Sequence, residues 1–140
     1  MVNFDLEEYI PQEARTFIDL SKWLEKGFIL REKPFREALN THDWSQYSAH
    51  YVALGCSTKA ILPAWASLLV TSYLHPVAKS IVLGSLETLE QEIFREMIAE
   101  LDLTPFIDKP IMIKGCSDET IPQDAYILLV QRLQTVAKSL

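Results

Sequence analysis

Residues 51–81 read YVALGCSTKAILPAWASLLVTSYLHPVAKSI, and residues 111–140 read IMIKGCSDETIPQDAYILLVQRLQTVAKSL. At a spacing of 60 residues, Gly55/Gly115, Cys56/Cys116, Ser57/Ser117 and Ile61/Ile121 are identical. With Leu62 taken as an inserted residue the spacing falls to 59, and matching resumes. Pro63/Pro122, Ala66/Ala125, Leu69/Leu128 and Leu74/Leu133 then agree, as do the runs Val77–Ser80 and Val136–Ser139. Shared secondary structure does not repeat residue identities this often, so the stretch reads as an internal duplication.

Each copy reads strand, bend, helix. "YVAL" is apolar without clean alternation, which suits a strand covered on both faces. "GCST" is the bend. Pro63 stands where a first helical turn tolerates a missing N–H, and Ala66, Leu69, Val70, Tyr73, Leu74 and Val77 form an apolar stripe. A strand-to-helix unit cannot bury its strand alone, so parallel pairing with helices on the sheet is the simplest solution. Both Gly-Cys-Ser bends then lie at carboxyl ends of strands, the edge where open α/β sheets hold ligands. If the two repeat strands are neighbours, about 4.8 Å separates them and the bends adjoin.

Outside the repeats, Glu13–Leu20 has strand character, "SKWLEKG" fits a short helix capped by Ser21 and closed by Gly27, and Lys33–Asn40 fits a helix with Pro34 in its first turn. "THDWSQY" reads as a turn or one helical turn. "SIVLGS" reads as a further strand. Ser85 caps a helix in which Leu86, Leu89, Ile93, Phe94, Met97 and Ile98 share one face. The expected fold is a single compact α/β domain, residues 1–140, with a mainly parallel or mixed sheet flanked by helices. Residues 51–81 and 111–140 are its repeat units, and residues 1–50 are an N-terminal strand and helix segment packed on them.

A net charge of -6 on 140 residues argues against a nucleic-acid binder, which normally carries a basic excess. "MVNFDLEEYI" lacks the basic and apolar regions of a signal peptide, and "ILPAWASLLV" is far short of the roughly 20 apolar residues of a membrane helix. Two cysteines without an export signal read as free thiols of a reducing compartment, so the expected setting is the cytoplasm.

"WLEKGFILREKPFRE", "HDWSQY", "GCSTKAILPAWA" and "GCSDETIPQDAY…LQTVAKS" together resemble an uncharacterised bacterial family, domain of unknown function 2480, over nearly the whole chain. The resemblance implies a compact α/β protein and brings no activity, cofactor or partner. Members of that family continue past the second Ala-Lys-Ser into another strand and a short tail with a further Cys-Ser. The expectation is that a closing strand either lies beyond Leu140 or is lacking in this member.

Cys56 and Cys116 are the candidate catalytic residues, and Cys56, Ser57, Lys59, Cys116, Ser117 and Trp65 the candidate ligand-binding set. A thiol just before a helix start feels the positive end of the peptide dipoles and gains nucleophilic character. Equally, Gly-Cys-Ser is a tight turn in which the glycine gives freedom, the thiol fills space and the serine caps a helix. Lys59 in the first bend faces Asp118 and Glu119 in matching places of the second, so any site is asymmetric. Zinc-type spacings are missing; His50 and His75 fall away from the bends, and only His42 and Asp43 come into question. Arg31, Lys33 and Arg36 read as an anion clamp or as a solvated mixed-charge helix start. His42, Asp43, Ser45 and Tyr47 are proton-transfer types in no triad spacing.

Two functional readings follow. The first is a non-catalytic binding or interaction module for an unknown small molecule or protein, without nucleic acid or membrane, and open to self-association through an apolar sheet edge or helix face. The second is a thiol-dependent enzyme or redox protein using Cys56, Cys116 or both. No cofactor is indicated for either.

Overall fold

A computed structural model of the chain describes residues 1–115 and 118–140. In chain order its elements are β1 (Val2–Asp5), β2 (Arg15–Asp19), α1 (Glu32–Thr41), β3 (Tyr51–Gly55), α2 (Ala64–Leu74), β4 (Ser80–Leu83), α3 (Leu86–Ala99), β5 (Ile111–Lys114) and α4 (Gln123–Leu133). Every strand pair is parallel: β2, β3 and β4 form one sheet in that order, and β1 pairs with β5 in another. Parallel neighbours need a crossover, and α1 and α2 supply those of the three-stranded sheet. The expected α/β class, parallel sheets flanked by helices, is the one observed.

The two repeat strands are not neighbours. β3 is bonded on both edges, by β2 and β4, and β5 is bonded by β1, so each repeat strand belongs to a different sheet. The chain divides accordingly into two compact units, Glu13–Leu89 and Met1–Gln12 with Glu90–Leu140.

In the unit Glu13–Leu89, β3 is the buried centre: Val52, Ala53 and Leu54 are inaccessible to solvent or nearly so. Ile18 and Leu20 join them from the β2 side, α1 contributes Phe35 and Leu39, and α2 contributes Ala66, Val70 and Leu74. The continuous apolar reading of "YVAL" follows from this position, since a strand with partners on both edges and cover on both faces has no use for polar alternation. Trp44 stacks on Tyr73 with ring centroids 5.2 Å apart, and its indole N–H donates to the Leu39 carbonyl at the end of α1.

The other unit repeats this plan at a spacing of 59 residues. Phe94 and Ile98 on α3 stand where Phe35 and Leu39 stand on α1, and Ala125, Leu129 and Leu133 on α4 are buried as Ala66, Val70 and Leu74 are on α2. Asp43 and Asp102 each accept the N–H two residues on, from Ser45 and Thr104, at the start of a short 3-10 turn. Ala49 and Asp108 both adopt the left-handed conformation, with φ of 61° and 54°. Their N–H groups donate to Val77 and Val136, which stand in the same 59-residue relation. Tyr51 pairs with Ser80, and Pro110 bridges to Ser139 in the same sense.

This agreement moves one boundary. Tyr51 answers to Pro110, not Ile111, so the strands also match at 59, and the bend of the second copy carries its own extra residue to offset Leu62. The plan also extends further upstream than the sequence reading did, through "FRE" at Phe35–Glu37 and Phe94–Glu96. The first ten residues, read above only for charge, form β1 and a 3-10 turn: Phe4, Asp5 and Leu6 occupy the places of Ile18, Asp19 and Leu20. "SKWL" is a 3-10 turn over Leu20–Trp23, and its cap is Asp19 rather than Ser21, because the Asp19 carboxylate accepts the Ser21 N–H. Among the described residues no helix is long and apolar enough to cross a membrane.

Because Phe35 and Phe94 occupy corresponding core positions, Phe35→Ala and Phe94→Ala should each lower unfolding stability by about 3–5 kcal/mol. Urea unfolding of the two variants checks this; a loss under about 1 kcal/mol at either site contradicts the burial described.

Candidate functional site

The carboxyl rim of the β2–β3–β4 sheet brings together Asp19, Ser21, Cys56, Ser57 and Thr58. Asp19 ends β2 opposite Gly55, the last residue of β3. Its Oδ1 accepts the backbone N–H of Ser21 and of Ser57, both at 3.0 Å, so one carboxylate ties the 3-10 turn after β2 to the bend after β3. Burial alone would raise the pKa of this group, but hydrogen bonds from Ser57 and then Ser21 outweigh it and hold the carboxyl far below the usual carboxylate range. Above this anchor the Ser21 and Ser57 hydroxyls lie 3.2 Å apart, with Ser57 exposed.

Gly55 is required here for space. A Cβ on it would come within 2.8 Å of the Phe17 ring and 3.2 Å of the Gly84 carbonyl oxygen. Gly115 answers to both needs, with φ of 95° and a hypothetical Cβ 2.7 Å from Asp5 Oδ1. Asp5 thus sits beside Gly115, and like Asp19 it accepts the N–H two residues on, that of Glu7 at 3.0 Å.

Cys56 is half-buried and free. Its sulfur is 3.3 Å from Thr58 Oγ1, and Thr58 in turn donates its hydroxyl proton to the Gly27 carbonyl at 2.6 Å. With that proton given to Gly27, the thiol is left as the donor in the first bond.

Several expected placements change. Helix α2 begins at Ala64, its N-cap is Pro63, and no side chain caps it. Ser57 is therefore no cap of α2, and Cys56 does not adjoin its amino terminus, so the dipole argument for an activated thiol fails in this copy. Trp65 packs edge-on against Phe35 at 5.8 Å, under the Arg36 guanidinium at 5.1 Å, and serves the core. Lys59 is exposed next to the bend. Cys116 and Ser117 lie outside the described residues.

Two members of the basic cluster have local acidic partners: Arg31 pairs with Glu25 at 3.0 Å and Arg36 with Glu32 at 3.3 Å. His42 sits between Trp23 and Trp44, and its Nε2 is 2.7 Å from the Tyr47 hydroxyl. Asp43 caps the turn Trp44–Tyr47, the plainer of the two readings of that motif. His50 bonds Thr16 through Nδ1 at 2.8 Å, at the amino end of the strands. Among the described residues no three His, Cys, Asp or Glu side chains converge as metal ligands do.

Sequence reasoning missed Asp19, Thr58 and Gly27. The signal for Asp19 was present twice, in Phe4-Asp5-Leu6 and Ile18-Asp19-Leu20. An acid directly after an apolar strand and before a polar turn is a capping position. A model of one protein family matches residues 1–140 from end to end. The chain belongs to the family described as "Protein of unknown function (DUF2480)". No curated protein and no solved structure matches it. For this DUF2480 chain the rim geometry therefore stands without a relative's site to compare.

Asp19→Asn should cost about 0.5–1.5 kcal/mol, since a neutral, weaker acceptor is left for the two backbone N–H groups. Because the folded-state value of Asp19 is depressed, its contribution is complete above the unfolded value of about 4 and is lost as pH falls below it. Stability measured from pH 6 to pH 2 should fall more steeply for the native chain than for Asp19→Asn; parallel curves would remove Asp19 from the anchor role. His42 is also shifted down, by burial and then by the Lys22 charge, and for a base this favours the neutral ring in the fold. Its contribution is complete above about 6.5 and declines as pH drops below that. His42→Gln should flatten the thermal-stability profile between pH 7 and pH 5.

Proposed function

We propose that this DUF2480 chain is a non-catalytic α/β binding and interaction module, with a small polar ligand held at the carboxyl rim of the three-stranded sheet. The observation that carries the reading is the Ser21–Ser57 hydroxyl pair, set 3.2 Å apart over a carboxylate already satisfied by two backbone donors. Such a pair offers directed donors and acceptors on a fixed base, and Asp19 spends its charge on the scaffold. Cys56, Ser57 and Lys59 are the rim residues nearest that pair in sequence, and Cys116 and Ser117 would be their counterparts in the other unit. The matched burial, caps and backbone bonds 59 residues apart support descent of both units from one duplicated ancestor. The thiol-enzyme reading is disfavoured at Cys56, whose proton is engaged with Thr58.

The same reading takes the setting to be the bacterial cytoplasm, where a free, half-buried thiol stays reduced, with protein or small-molecule partners rather than nucleic acid, and with self-association open. Native mass spectrometry of the chain purified from cells tests the ligand. The wild type should carry a non-covalent mass adduct that a Ser21→Ala/Ser57→Ala variant loses. A bare wild-type mass, or an adduct unchanged in the variant, overturns the reading.

A further inference from the structure

The two units share a plan but fill one place in it differently. Trp44, Trp65 and Tyr73 answer, at 59 residues, to Leu103, Asp124 and Arg132. In the unit Glu13–Leu89 the three rings are packed: Trp44 stacks on Tyr73 at 5.2 Å, and the Arg36 guanidinium lies over the Trp65 ring at 5.1 Å. In the other unit no ring stands at these positions, and a cavity of about 300 Å³ lies between α3 and α4. Its apolar walls are Ile98 and Leu128, the counterparts of Leu39 and Leu69. Its polar lining is Arg95, Gln131, Arg132 and Thr135, which brings two cations and no carboxylate.

Neither arginine is saturated. Arg132 is held flat against the end of α3, where Nη1 donates to the Ala99 carbonyl and Nη2 to that of Leu101. Its Nε–H is buried and has no acceptor among the described residues. Arg95, the counterpart of Arg36, has lost its ring and lies 3.7 Å from both Glu92 and Asp124. These contacts are longer than hydrogen bonds, so its N–H groups keep the capacity to donate.

We infer that this cavity binds a small aromatic carboxylate. The ring takes the place that aromatic side chains take in the other unit, against Ile98 and Leu128, with the fixed guanidinium plane of Arg132 to stack on. The carboxylate meets Arg95 and offsets the positive lining. A neutral ring forgoes the charge, and an aliphatic anion forgoes the stacking. The inference goes beyond the rim reading and does not rest on it, since every lining residue belongs to the unit that lacks the three-stranded sheet.

Titration of the isotope-labelled full chain with benzoate at neutral pH, followed by amide chemical shifts, tests it. Saturable shifts should cluster at Arg95–Ala99 and Leu128–Thr135, and both benzyl alcohol and cyclohexanecarboxylate should bind more weakly. Arg95→Gln should weaken benzoate about tenfold, as loss of a charge-assisted hydrogen bond predicts, with circular dichroism unchanged. Leu103→Trp with Arg132→Tyr restores the ring pair of the other unit and should abolish the shifts; if that chain does not fold, Arg95→Gln still decides. The absence of saturable shifts in these segments overturns the inference. So does equal affinity for benzyl alcohol or cyclohexanecarboxylate, or a benzoate affinity that Arg95→Gln leaves unchanged.

Discussion

The three-stranded sheet depends on the burial of β3. A parallel strand with partners on both edges must be preceded and followed by connections long enough to return to the same end, and each connection must cover a face. Tyr51–Gly55 meets this condition with α1 in front and α2 behind, and the apolar side chains of both helices converge on Val52 and Leu54. Once β3 is placed, β2 and β4 have one direction available to them. The turns after β2, β3 and β4 then share a single rim, and Asp19 locks two of those turns with one carboxylate. The candidate site is in this sense a by-product of how the core closes.

The same logic explains why the second unit looks different while obeying the same plan. β5 has β1 on one edge and, on the other, a single bridge from Pro110 to Ser139. Its residues alternate as those of β3 do not, with Ile111 buried and Met112 exposed. Its sequence, Ile-Met-Ile-Lys, carries a charge at its end, where Tyr-Val-Ala-Leu carries none.

Much of this was legible in the residues. The recurring Gly-Cys-Ser triplets, the apolar β3 and the periodic face of α3 stood out in the residues, and the strand-to-helix order followed. Pairing was not legible. Nothing in "YVAL" and "IMIK" states which strands sit beside them, and the assumption that two copies of one module must be neighbours failed because each copy found its own partner in an earlier segment, β2 or β1. The start of α2 at Pro63 was legible, but Ser57 as its cap was not a sound reading, because the chain runs on through Ile61 and Leu62 to Pro63 before it turns helical. Asp19 was overlooked because a lone acid after a strand resembles surface polarity until its two backbone donors are seen.

The contrast between the two sheets reaches beyond static structure. Amide protons of β3 lie between two neighbours, so deuterium can replace them only when that whole sheet comes apart. β5 belongs to another sheet, paired with β1, so isotope uptake there reports the opening of that sheet instead. Two segments that align residue for residue would thus keep separate clocks, set by the company each strand keeps and not by its own letters.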